Sequence, residues 1–148
     1  MLKGIHPDLN AEILFALRAM GHGDDLIVAD MNFPADSIAR QTRLRRLLRI
    51  SRATAAEVVA AVLSVYPVDT FVDDAAGRMM LAEGPDEIPP VQREVQTVVD
   101  AMSEKKGPMI PIDRFEFYER SKNAYCVIQT GERRFYGCFA FRKGVIAP

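Results

Sequence analysis

Four consecutive apolar residues, Leu26-Ile27-Val28-Ala29, stand between the polar segment Gly21-His22-Gly23-Asp24-Asp25 and Asp30. A short apolar run bounded by turn residues reads as a strand buried on both faces. Such a strand needs apolar cover above and below it. The flanking segments supply that cover. Asn10 is placed to cap a helix carrying Ile13, Leu14, Leu17 and Met20 at helical spacing, and Gly21 is expected to end it in a left-handed turn. Thr54 and Glu57 have capping-box spacing ahead of an Ala/Val-rich helix that runs to about Tyr66, where Pro67 stops it. Pro90 opens a third helix with Val91, Val95, Val98, Val99 and Met102 on one face.

Short strands are expected at Met79–Leu81 and Met109–Ile112, and a brief helix after Asp113 through Ser121. Tyr125–Thr130 and Phe135–Phe141 read as a hairpin joined by Gly-Glu-Arg-Arg. Arg40–Arg52 is rich in arginine with interleaved Leu44, Leu47 and Leu48, and both a helical and a strand reading stay open there. Helices alternating with strands predict an α/β fold: a single layered domain, residues 1–148, with a central sheet flanked by helices.

The 148 residues suit one domain. A net charge of -1 argues against a broad basic face, so no nucleic acid partner is expected. The N-terminus lacks the apolar core of a signal peptide, and the longest apolar run, Val58–Val68, is interrupted by Ser64 and Pro67. No membrane association is expected, and a cytoplasmic location with reduced thiols follows as the default. GxGxxG after a strand, GxxxxGK[ST], HExxH, CxxC and GxSxG are all missing, and His6 and His22 alone make no metal-ligand pattern.

Few residues are then left to carry chemistry. His22, between two glycines, is either an uncrowded proton-transfer group or a surface histidine after a helix end. Asp30 lies at the C-terminal end of the first strand, where open α/β sheets place ligand-binding groups, or else it only caps a turn. In Arg114–Arg120, Phe115 and Tyr118 share a helix face, either toward the core or with Arg114 and Tyr118 aimed into a pocket. Tyr136 and Cys138, two apart on an expected strand, point to one side. Cys126 is placed to face Cys138 across the hairpin, with no disulfide expected.

Read together, these segments resemble the RbsD/FucU family of sugar mutarotases, its fucose branch in particular. The matching blocks are Leu2–Ile5, the MGHGDDLIVADMNFPADS block at Met20–Ser37, YPVDTFV at Tyr66–Val72, RFEFYERSKNAY at Arg114–Tyr125, TGERRFYG at Thr130–Gly137 and RKG at Arg142–Gly144. The resemblance implies an enzyme that interconverts sugar anomers by general acid–base catalysis without a cofactor. It implies His22 as proton donor and Asp30, Asp69, Arg114, Tyr118 and Tyr136 as sugar contacts, with Asp30 orienting the sugar or tuning His22. Phe115 or Phe117 is expected to face the sugar's apolar side. The close match around Arg114 favours L-fucose or a related deoxyhexose over ribose. The family's usual Tyr-x-Asn is here Tyr136-Gly137-Cys138, which puts a thiol where an amide is expected. The family's ring-shaped oligomers imply a homo-oligomer, a decamer, with sites at subunit junctions. Two other readings remain: a non-catalytic monosaccharide-binding or transport-accessory protein of the same fold, and a polyanion binder using Arg40–Arg52.

Overall fold

The computed structural model describes residues 2–148. Its centre is β1, Asp25–Ala29, the apolar run singled out above. Leu26, Ile27, Val28 and Ala29 are each fully buried. Alternation along the strand sends Leu26 and Val28 into one apolar core and Ile27 and Ala29 into another.

The first core is covered by α1 (Ala11–Ala19), α3 (Ala55–Leu63) and α4 (Pro90–Met102). Asn10 caps α1 by accepting the Ile13 N–H at 3.0 Å. Gly21 does not end that helix in a left-handed turn: Met20 closes it in extended backbone, and Gly23 carries the positive φ. Thr54 and Glu57 form the expected capping box on α3. The second core is covered by α2 (Ala35–Ala39) and α5 (Arg114–Asn123), with Phe117 at its centre. Asp113 caps α5 by accepting from the N–H groups of Phe115 and Glu116. The five-residue α2 is too short to show periodicity and was not expected after Pro34.

Six strands form one sheet in the order β2-β5-β1-β6-β3-β4. These are β2 (Leu47–Ile50), β3 (Ala76–Met79), β4 (Ile110–Ile112), β5 (Cys126–Thr130) and β6 (Phe139–Arg142), around β1. Only β6 runs against the others. The arginine-rich stretch therefore resolves as turns leading into a strand. Leu48 and Ile50 face the first core, while all six arginines of the stretch stay exposed. The strand expected at Met79–Leu81 lies earlier: it ends at Met79, and Met80 keeps only its N–H bond to the Ile112 carbonyl of β4.

The expected hairpin is not formed. β1 lies between β5 and β6, parallel to the first and antiparallel to the second. A buried central strand must pair along both edges to satisfy its backbone. The segment from Gly131 to Cys138 crosses over the end of β1 and is anchored there, with the Met31 N–H donating to the Glu132 carbonyl at 2.9 Å. Cys126 and Cys138 consequently lie in opposite cores and are both free.

Packing and capping are expected to differ sharply in weight. Phe117→Ala empties a fully buried site and should cost about 3–5 kcal/mol. Thr54→Ala removes one cap and should cost about 1 kcal/mol. Urea unfolding midpoints of the two variants check this; equal losses would contradict it.

Candidate functional site

Asp30 continues β1 and is 3% exposed. Its Oδ1 accepts the N–H groups of Asn32 (2.9 Å) and Phe33 (3.0 Å). Its Oδ2 accepts the Gly137 N–H (3.1 Å) and the Cys138 thiol (3.4 Å). One carboxylate thus ties the strand end to the approach of α2 and to the crossing loop. Gly137 must be glycine, because a Cβ there would meet Glu132 Cγ at 2.8 Å and Asp30 Cβ at 3.3 Å. Burial and the neighbouring Asp30 push the Cys138 thiol well up, so it stays protonated and donates.

The crossing loop is held by Glu132 and Arg134. Glu132 is 4% exposed; it accepts from the Arg134 guanidinium and backbone at 2.9 Å and from the Ala55 N–H at the start of α3. Arg134 also grips Glu94 of α4 with two bonds of 2.8 Å. Tyr136, set in the left-handed region at φ 62°, projects from this loop. Its backbone carbonyl accepts from Gln92 at 2.9 Å, and its hydroxyl accepts the Ala82 N–H at 3.3 Å.

Asp30, Arg114, Tyr118, Tyr136 and Cys138 line one cleft of about 320 Å³, with Asn32, Phe33, Met79 and Phe135. Three distant chain segments converge here: the end of β1, the first turns of α5 and the loop before β6. The cleft lies at the carboxyl end of β1, beside the point where successive connections leave to opposite sides of the sheet. Tyr136 and Cys138 share it, though through the loop rather than by strand alternation. The expected aromatic platform is different: Phe117 is buried in the core and Phe115 is 64% exposed, while Phe33 and Phe135 line the cleft. Phe33 stands three residues after Asp30, in Asn32-Phe33-Pro34, where the proline marks a turn and nothing local signals that the ring lines a cleft.

His22 and Asp69 lie at the other end of the sheet. Five strand residues separate Asp30 from the His22 loop, roughly 16 Å of extended chain. Asp30 therefore does not touch His22 within one chain. Asp69 does, with Oδ2 3.1 Å from His22 Nε2. The Phe71 N–H donates to Asp69 Oδ1 at 2.9 Å and, with His22, holds that carboxyl below its usual range against the opposing effect of burial. An ionised carboxylate only accepts, so Nε2 carries the proton and Nδ1 is the free nitrogen. The imidazole is 49% exposed, with Phe71 edge-on at 5.8 Å between ring centroids.

The Arg142-Lys143-Gly144 segment builds this second cluster. The Gly23 N–H donates to the Lys143 carbonyl, the Asp69 N–H to the Arg142 carbonyl and the Gly144 N–H to the Pro67 carbonyl. A Cβ on Gly144 would meet Val68 O at 2.8 Å and Asp69 N at 2.9 Å, so only glycine lets the two segments close. Beside it, Asp25 takes a bidentate pair from Arg120 at 2.9 Å, and Arg142 joins Asp25 to Asp74.

Glu132 gives the site a defined acid sensitivity. Arg134, and then backbone donors, hold its carboxyl down to about 2, from an ordinary 4.5. A depressed carboxyl contributes stability above its unfolded value and loses it as pH falls. Unfolding free energy is expected to drop between pH 4.5 and about 2, and to drop less steeply in Glu132→Gln. Urea titrations across that range check it; identical slopes for both proteins would contradict it.

The RbsD / FucU transport protein family model matches residues 3–146. The Homo sapiens fucose mutarotase is 39% identical over 149 residues, covering 99% of this chain and 95% of the human protein. FucU from Bifidobacterium longum superposes with a TM-score of 0.89 at 36% identity, covering 98% of this chain and 100% of that one. The fucose mutarotase of Streptococcus pneumoniae, solved in complex with L-fucose, gives a TM-score of 0.88 at 31% identity, covering 99% of this chain and 100% of that one. The chain belongs to the RbsD / FucU transport protein family.

Proposed function

We propose that this protein is a mutarotase that interconverts the α and β anomers of L-fucose or a closely related monosaccharide. The observation that carries this reading is the convergence of Asp30, Arg114, Tyr118, Tyr136 and Cys138 on one sugar-sized cleft, on a fold shared with a fucose mutarotase solved with L-fucose. Arg114 and the two phenols supply donors for sugar hydroxyls, and Phe33 and Phe135 supply an apolar wall.

Ring opening places one proton on the ring oxygen and takes one from the anomeric hydroxyl. Reclosure on the other face reverses both transfers. His22 is the proposed acid and base, working through Nδ1 while Asp69 holds Nε2–H and stabilises the imidazolium. No carboxylate of the cleft reaches His22 in the same chain, so His22 acts on the cleft of a neighbouring copy.

That requirement calls for a homo-oligomer joined head to tail, which closes into a ring when the rotation permits. We extend the proposal to the ring-shaped decamer. Exposed apolar groups at both ends support such contacts: Phe71 beside His22, and Met31, Phe115 and Phe135 beside the cleft. No helix among the described residues is long and apolar enough to cross a membrane, and two buried free thiols suit the proposed cytoplasmic setting.

One observation favours a second reading. His22 does not line its own chain's cleft, so an isolated chain would bind sugar without speeding anomer exchange.

Saturation-transfer NMR of L-fucose separates the two. Wild type should accelerate exchange, and His22→Ala should lose about 10²–10⁴-fold of that acceleration. Equal rates in the two proteins would overturn the enzyme reading. Cys138→Asn, measured with L-fucose and D-ribose, should change the ratio of the two rates, because it alters a donor on Asp30.

A further inference from the structure

Arg78 of β3 is 7% exposed and has no carboxylate partner among the described residues. It enters none of the ion pairs among the described residues. Its one hydrogen bond runs from Nη1 to Gln92 Oε1 at 3.0 Å. A guanidinium has five N–H donors, and the protein engages one nitrogen. No fully buried side-chain nitrogen or oxygen among the described residues lacks a partner, so the remaining Arg78 nitrogens reach open space. That space is a cleft of about 330 Å³ between α4 and β4, separate from the one at Asp30.

Nothing in this cleft's wall neutralises the cation. The walls are Ile88, Pro108, Met109 and Pro111, and the second charged group is another arginine, Arg93. Gln92 has spent its amide nitrogen on the carbonyls of Met79 and Tyr136. Gln96 is likewise committed, to the Met109 N–H and to Asp100. A buried charge without a partner is among the costlier features a fold can keep.

We propose that this cleft binds a small organic carboxylate. The carboxylate takes a forked pair of bonds from Arg78, and the apolar body lies against Ile88, Pro108, Met109 and Pro111. A single negative charge matches the single deep cation. Inorganic phosphate carries more charge than Arg78 neutralises and has no apolar body to bury. The inference is independent of the sugar-site reading, because no residue of the wall is among the proposed sugar contacts.

The test is an NMR titration of the full chain with 3-methylbutanoate, following the Arg78 Nε–H and the Met109 amide at constant ionic strength. A saturable shift is expected. Binding should be at least about tenfold weaker for 3-methylbutanamide, for inorganic phosphate and for the Arg78→Met variant. That variant replaces a lone buried charge with an apolar chain and is expected to fold. Arg78→Lys keeps the charge without the fork, and should bind less tightly than wild type. The absence of a saturable shift, binding that persists in Arg78→Met, or phosphate binding as tight as the carboxylate would each overturn the proposal. If Arg78→Met fails to fold, the comparison of carboxylate, amide and phosphate on the wild type still decides it.

Discussion

The carboxylate of Asp30 is the point on which the upper end of the molecule depends. It follows a strand whose last four side chains are apolar, and it gathers four donors from two other segments. Each of those donors is buried or half-buried, so losing the acceptor leaves several unmet hydrogen bonds at once. Two of the four, from the Gly137 N–H and the Cys138 thiol, fix the end of the Gly131–Cys138 loop, and that loop carries Tyr136 and Phe135 to the cleft. Shape and chemistry at this end therefore have one origin.

The opposite end is organised by different means. Asp69 is seated by close backbone contact with Arg142-Lys143-Gly144, and the Asp25–Arg120–Arg142–Asp74 cluster braces the neighbouring strand ends. Because β6 alone runs against the other strands, it links the two ends directly. Cys138 precedes it at Asp30, and Lys143 follows it at the His22 loop. The proposed reaction needs both ends, and the strand length keeps them apart within one chain. On the proposed reading, assembly is thus part of the chemistry, since it brings the imidazole of one copy to the carboxylate end of another.

Much of this was readable in the chain because the relevant forces are local. The apolar run of β1, the Asn10 and Asp113 caps, the Thr54–Glu57 box and Pro90 at the head of α4 each act within a few residues. What escaped was tertiary. Nothing in Tyr125–Phe141 says that a third strand will slip between its two halves; that follows from the two unpaired edges of β1. Glu132 and Arg134 looked like hairpin-loop charges, yet they lock the loop to α3 and α4. The Asp30 cleft was legible in composition, through Arg114, Tyr118, Tyr136 and Cys138. Its apolar wall at Phe33 was missed, because a Pro34-containing turn hides a short helix behind it. The distance between His22 and Asp30 was invisible at eight residues' separation, since a strand spends those residues on length.

Mixing two inactive variants tests the shared site most directly. His22→Ala and Asp30→Asn chains are unfolded together, refolded at equal ratio, and assayed for L-fucose anomer exchange. In a head-to-tail ring, junctions pairing an intact His22 with an intact Asp30 form again, and about a quarter of the wild-type rate is expected to return. A mixture no more active than its two components would contradict the account.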